Sequence, residues 1–130
     1  MYTAVTDDIQ VTVIPEFLPD RSEPDLGQYF WAYTIEIHNR GSRLVQLIAR
    51  HWLITDGNGK IEEVQGLGVV GEQPVLQPGE SFRYTSGCPL ATPTGIMAGT
   101  YRMTHGDGDT FEVQIPAFSL DVPEPRRILN

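Results

Sequence analysis

The sequence predicts an all-β domain, a sandwich of two sheets with about seven strands. Three observations predict it. Apolar residues alternate with polar ones rather than recurring every third or fourth place. Turn signals recur at the short intervals of sandwiches and barrels. Ten prolines and thirteen glycines leave no window suited to a helix.

Each element follows in order. Ile9, Val11 and Val13 share one face of a strand, with Gln10 and Thr12 on the other. Pro15 and the stretch from Leu18 to Asp25 read as an exposed loop. The clearest strand places Tyr29, Trp31, Tyr33, Ile35 and Ile37 on one side, opposite Ala32, Thr34, Glu36 and His38. Aromatic residues spaced by two on one face predict core packing, or a protein-binding patch if that face is open. Asn39 to Ser42 is a turn. Residues 44–55 form a long extended stretch whose alternation slips near Arg50, which predicts a bulge or a strand covered on both faces.

Asp56-Gly57-Asn58-Gly59 is a hairpin turn, because Asn and Gly accept positive φ at low cost. Ile61 to Gln65 returns as the partner strand, and Gly66 to Pro74 is irregular. Pro78-Gly79 fits a type II turn. Phe82 with Tyr84, then Tyr101 with Met103, mark two further strands, separated by a loop from Gly87 to Pro93. Gly106-Asp107-Gly108-Asp109 is a second hairpin turn, and Phe111, Val113 and Ile115 close the pattern. One domain spans residues 1–130, with its core at about 5–120 and an extended tail over 121–130. A single cysteine, Cys88, excludes an internal disulfide, so the sandwich is expected to be of the fibronectin type III, immunoglobulin-like kind without the bridge.

Charge and composition narrow the function. The 130 residues carry a net charge of −8. An acidic surface repels polyanions, so nucleic acid is not an expected partner. The local arginine pairs, Arg40 with Arg43 and Arg126 with Arg127, read as surface charge. The N-terminus lacks a basic start and an apolar run, and no stretch approaches the roughly 18 apolar residues of a membrane helix. The expected location is the cytoplasm, with no membrane insertion.

Four groups of residues invite chemistry, and each has a structural explanation beside it. Gly66-Leu67-Gly68-Val69-Val70-Gly71 matches the dinucleotide pattern, but Pro74 and Pro78 follow where the phosphate-binding helix should start. A glycine-permitted loop explains it; a backbone amide nest for a small phosphate ligand at Gly66, Gly68 and Gly71 is the alternative. His105, Asp107 and Asp109 could hold a hard divalent ion weakly, although a hairpin turn accounts for the same residues. Cys88 lacks a local base or cationic neighbour. Glu62 and Glu63 point to opposite faces of one strand and cannot act as a pair. His51 reads as a half-buried packing residue. No catalytic residue and no cofactor are assigned.

Several blocks also resemble a known family. Residues 50–56 (RHWLITD), 63–74 (EVQGLGVVGEQP) and 76–87 (LQPGESFRYTSG), with the run from Thr92-Pro93 through Gly99-Thr100-Tyr101, are similar to the ApaG family, also called CorD. The resemblance covers about residues 5–120. It implies a fibronectin type III-like sandwich and an association with cobalt tolerance and magnesium efflux. It implies no enzymatic activity and transfers no catalytic residue. Related domains look like protein-interaction modules, so the expected function is a non-enzymatic binding module with a protein partner. The alternative is a phosphate- or nucleotide-binding sensor using the loop from Gly66 to Gly71.

Overall fold

Alternating side chains and tight turns fold the described residues into nine strands in two antiparallel sheets. The computed structural model describes residues 1–123. Arg126, Arg127 and most of the expected tail lie outside the described residues. The strands are β1 (Tyr2–Thr6), β2 (Ile9–Phe17), β3 (Tyr29–Asn39), β4 (Val45–Asp56), β5 (Ile61–Leu67), β6 (Val75–Leu76), β7 (Ser81–Leu90), β8 (Thr94–Thr104) and β9 (Thr110–Asp121). One sheet runs β1-β2-β3-β7, and the other runs β5-β4-β8-β9, with β6 pairing the start of β4. Two short 3-10 turns, Pro19–Arg21 and Pro24–Leu26, occupy the loop before β3.

The core lies between the sheets and is built from the faces the alternation marked on β2, β3, β8 and the start of β9, joined by residues it did not place, Trp52 and Phe118. Val11, Val13, Trp31, Ile35, Ile37, Leu47, Trp52, Tyr101, Met103, Val113 and Phe118 are all buried. Trp31 and Tyr33 belong to this core, while Tyr29 is half-buried and stacks on Trp31 at 6.4 Å between ring centroids. Trp52 meets Phe118 edge-on at 5.9 Å, the offset geometry that ring quadrupoles favour.

Several expectations need correction. Pro15, expected in an exposed loop, lies in β2 opposite Tyr33, and Gly66 and Leu67, expected to be irregular, end β5. The first strand, β1, comes from a segment with no strand assigned to it. It turns into β2 at Asp7-Asp8, whose φ values of 48° and 63° are those of a tight hairpin turn usually made by Asn or Gly. The expected loop from Gly87 to Pro93 is largely strand, because β7 continues to Leu90. Gly87 and Pro89 suit that strand for specific reasons. A Cβ at Gly87 would lie 2.4 Å from the Phe30 ring, so the aromatic ring occupies the space. The Asn39 N–H donates to the Glu80 carbonyl, and this register turns the backbone of Pro89 away from β3, where no N–H is needed. The tail starts later than expected: Asp121 is still in β9, paired with Thr94, and its carbonyl accepts the Trp31 indole N–H at 2.9 Å.

Asn39 sits within the expected turn, yet it is buried. Its Nδ2 donates to the carbonyls of Arg43 (2.9 Å) and Leu76 (3.0 Å), and its Oδ1 accepts from the Gly41 N–H (3.0 Å). A buried amide with its groups engaged in this way holds the turn and β6 together.

The two sides of the sandwich differ. On one side β1 crosses to β9, where the Tyr2 hydroxyl meets Ser119 Oγ at 3.2 Å and the Gln114 N–H donates to Thr6 Oγ1 at 3.1 Å. On the other side the edges are β7 and β5, which pair with no further strand among the described residues.

Candidate functional site

A single bulge decides which side chains face outward on the five-stranded sheet. The β4–β8 register shifts between Leu47 and Ala49. This extra residue, Ile48, puts Arg50 and Trp52 on the same inner face as Val45 and Leu47. Ala49, His51 and Leu53 then point outward. The slip near Arg50 in the sequence is this bulge.

Arg50 therefore enters the sandwich at its open side. Its Nη1 donates to the carbonyls of Leu67 (3.0 Å) and Gly68 (2.9 Å). It passes across Gly66, where a Cβ would lie 2.9 Å from the guanidinium. Behind it sit three buried phenols. Burial raises the pKa of Tyr33, Tyr84 and Tyr101, and the nearby Arg50 charge opposes the rise in each. The hydroxyls of Tyr84 and Tyr101 are hydrogen-bonded to each other.

The glycine motif is explained by this architecture. Gly66 leaves room for Arg50. Gly68 has φ +64°, and a Cβ there would lie 2.3 Å from the Glu72 carbonyl oxygen. Val70 and Gly71, at φ 43° and 80°, make the tight turn between Val69 and Glu72, whose N–H and C=O groups bond each other at 2.8 and 2.9 Å. The Gly68 N–H donates to the Ile48 carbonyl at 2.8 Å. The amides of Gly68, Val69 and Glu72 are thus engaged within the fold, and the loop offers carbonyls to Arg50. Gly68→Ala is expected to lower stability by about 2 kcal/mol or more, since it combines overpacking with a strained φ. Gly71→Ala, which meets nothing within 4 Å, should cost only about 1 kcal/mol. Urea denaturation of both variants checks the order.

The structure does not assemble His105, Asp107 and Asp109 into a ligand set. His105 Nδ1 donates to the Leu44 carbonyl at 2.9 Å, and its ring stacks on Phe111 at 4.7 Å. Asp107 accepts from the Asp109 N–H at 3.1 Å and from Arg43 at 2.8 Å, and these two donors hold its carboxyl below the usual range. Among the described residues no three His, Cys, Asp or Glu side chains converge.

Nucleophiles fare similarly. Cys88 is buried on β7, and burial, then the Glu62 charge, push its thiol up to about 11. At neutral pH it is a thiol and a poor nucleophile. Ser81 Oγ lies 2.6 Å from His38 Nδ1, a pair the sequence did not reveal because its partners come from different strands. Among the described residues the His38 ring makes no second hydrogen bond.

What the outer face does present is an open groove of about 330 Å³ floored by Ala49. Leu67, His51, Thr100, Arg102 and Glu112 surround it. The register lines up Leu67, Ala49, Arg102 and Glu112 across β5, β4, β8 and β9. Leu67 is 75% exposed. Arg102 forms no ion pair among the described residues, and His51 Nε2 lies 3.5 Å from Glu63 without a hydrogen-bond partner. Toward the end of the same face Leu53, Ile61 and Ile96 are exposed apolar residues.

Comparison with known proteins places this geometry in a family. The ApaG domain model matches residues 19–105. A Protein ApaG of Methylocella silvestris is 65% identical over 130 residues, covering all of both chains. A Protein ApaG of Beijerinckia indica is 63% identical over the same length, again with full coverage of both. The crystal structure of a putative ApaA protein from Bordetella pertussis superposes with a TM-score of 0.87 at 52% identity, over 91% of this chain and 96% of that one. Nine strands in two antiparallel sheets, the quoted sequence blocks and full-length similarity agree, and the chain belongs to the ApaG domain family.

Proposed function

We propose that this domain is a non-enzymatic protein-interaction module, which receives its partner on the outer face of the five-stranded sheet. The observation that carries the reading is the groove over Ala49, where Arg102, without an ion pair among the described residues, stands across from an exposed Leu67. Arginine and apolar anchors around a small floor are the composition of interface centres. The acidic chain selects against nucleic acid. Among the described residues no helix is long and apolar enough to cross a membrane, and a cytoplasmic partner fits the single free cysteine. The association with cobalt tolerance and magnesium efflux that the family resemblance implies would then act through that partner.

The test is photo-crosslinking in cells, with a reactive side chain at position 67 or 100 and a control at Thr12 on the outer face of the other sheet. Discrete protein adducts are expected from 67 and 100, lost when Arg102→Glu is added. Equal labelling from all three positions, or none from any, would overturn the reading.

A further inference from the structure

The β4–β5 register shows which backbone groups of β5 are free. The Asp56 N–H donates to the Lys60 carbonyl, and the Gly68 N–H donates to the Ile48 carbonyl. In an antiparallel pair bonded positions alternate. Residues 62, 64 and 66 therefore bond to β4, and Ile61, Glu63, Gln65 and Leu67 direct their N–H and C=O groups away from the sheet. Among the described residues the strand is an edge with no other neighbour. Arg50 occupies the Leu67 carbonyl, which leaves Ile61 to Gln65 as the unpaired stretch.

The side chains along this stretch select a partner. Glu63 faces outward at 56% side-chain exposure, and its only ion-pair neighbour among the described residues is His51. Glu62 and Val64 face the inner side, where Val64 packs against the core. We infer that the β5 edge takes an extended segment of a partner protein as an additional strand, alternating basic and apolar side chains, so that basic ones meet Glu63 and apolar ones extend the inner face beside Val64. Main-chain pairing would supply affinity and the alternate side chains specificity. A second copy of this chain is the disfavoured occupant: pairing two β5 edges would bring their glutamates together on a chain of net charge −8. The inference rests on the interaction-module reading and names the kind of segment that module takes.

The test uses the full chain and a capped seven-residue peptide of alternating valine and lysine. Saturable binding is expected, with amide exchange at Glu63 and Gln65 slowed at least tenfold. A valine–glutamate peptide, and a valine–lysine peptide N-methylated at alternate residues, should each bind at least tenfold more weakly. Gln65→Pro should weaken binding at least tenfold, because the Gln65 N–H points away from β4 and its loss leaves the fold intact. Glu63→Lys, which leaves the backbone unchanged, should do the same. Equal binding of the N-methylated peptide would overturn the inference. So would amide shifts confined to the Ala49 groove, self-association through β5 in sedimentation, or no binding at all. Each of these outcomes leaves the module reading to be decided separately by the crosslinking experiment.

Discussion

Trp31→Ala is expected to lower stability by about 3–5 kcal/mol, the range for deleting a fully buried tryptophan. Three losses coincide at this position. The indole is 1% exposed and packs edge-on against Phe17 at 5.4 Å and face-on against Tyr29 at 6.4 Å, so its removal leaves a cavity between rings. Its N–H holds the carbonyl of Asp121, the last residue of β9, at 2.9 Å. That single bond ties the end of one sheet to the middle strand of the other. For a domain whose total stability is about 5–15 kcal/mol, the melting temperature should fall by about 12–20 °C. Trp31→Phe should cost distinctly less, because it retains ring packing and loses only the bond and part of the volume. Ile96→Ala, on the outer face and 53% exposed, should stay within about 0.5 kcal/mol. A calorimetric series in which Trp31→Ala behaves like Ile96→Ala would contradict the core described above.

The fold was legible where one face is buried and the alternation is unbroken. Val11, Ile35 and Val113 needed nothing beyond period-two patterning, and the Asp56–Gly59 turn announces its own geometry. The missing strand, β1, was hidden by Asp7-Asp8, which adopts positive φ without a glycine or asparagine to signal it. The end of β7 was hidden by Gly87 and Pro89, residues that break strands in isolation. Here they serve one, because Phe30 fills the first position and the second faces away from β3. Both are tertiary circumstances and leave no local trace.

The groove was less legible still. Ala49, Leu67, Arg102 and Glu112 stand on four strands and become neighbours only through register. Register in turn depends on the bulge at Ile48, because one residue more or less exchanges the two faces. Without that bulge Arg50 would project outward and Ala49 inward, and the groove would lose its floor. The slip in alternation near Arg50 was the visible signal. The glycine motif was visible too, and a glycine-permitted loop explains it, but nothing local showed that its glycines admit an arginine from β4 and shape the turn before Glu72.

The same arginine sits beside the group of residues that should set the alkaline limit of the protein. Tyr33, Tyr84 and Tyr101 have pKa values raised by burial above the ordinary 10.0, and the Cys88 thiol is pushed from 9.0 up to about 11. A raised pKa means that the folded chain keeps a proton the unfolded chain releases. The stability it represents is fully present below the ordinary value and is lost as pH rises toward the folded one. Each group adds a slope of about 1.4 kcal/mol per pH unit in that window. Cys88 begins the decline above about pH 9, and the three phenols together approach about 4 kcal/mol per unit above about pH 10. Stability should therefore hold level from neutral pH to about pH 9 and then collapse cooperatively between about pH 10 and 12, with Tyr33, Tyr84 and Tyr101 ionising only as the chain unfolds. Urea midpoints across this range measure the slope. Tyr84→Phe combined with Tyr101→Phe removes two of the four groups and should flatten it by about half between about pH 10 and 11, where Cys88 still contributes. Each single variant leaves a buried hydroxyl without its partner and should lose about 1–3 kcal/mol at neutral pH. In a chain carrying Tyr2→Phe and Tyr29→Phe, which keeps only the three buried phenols, tyrosinate appearing near pH 10 while the chain is still folded would show that those phenols are open to water, and that Arg50 does not close this side of the sandwich.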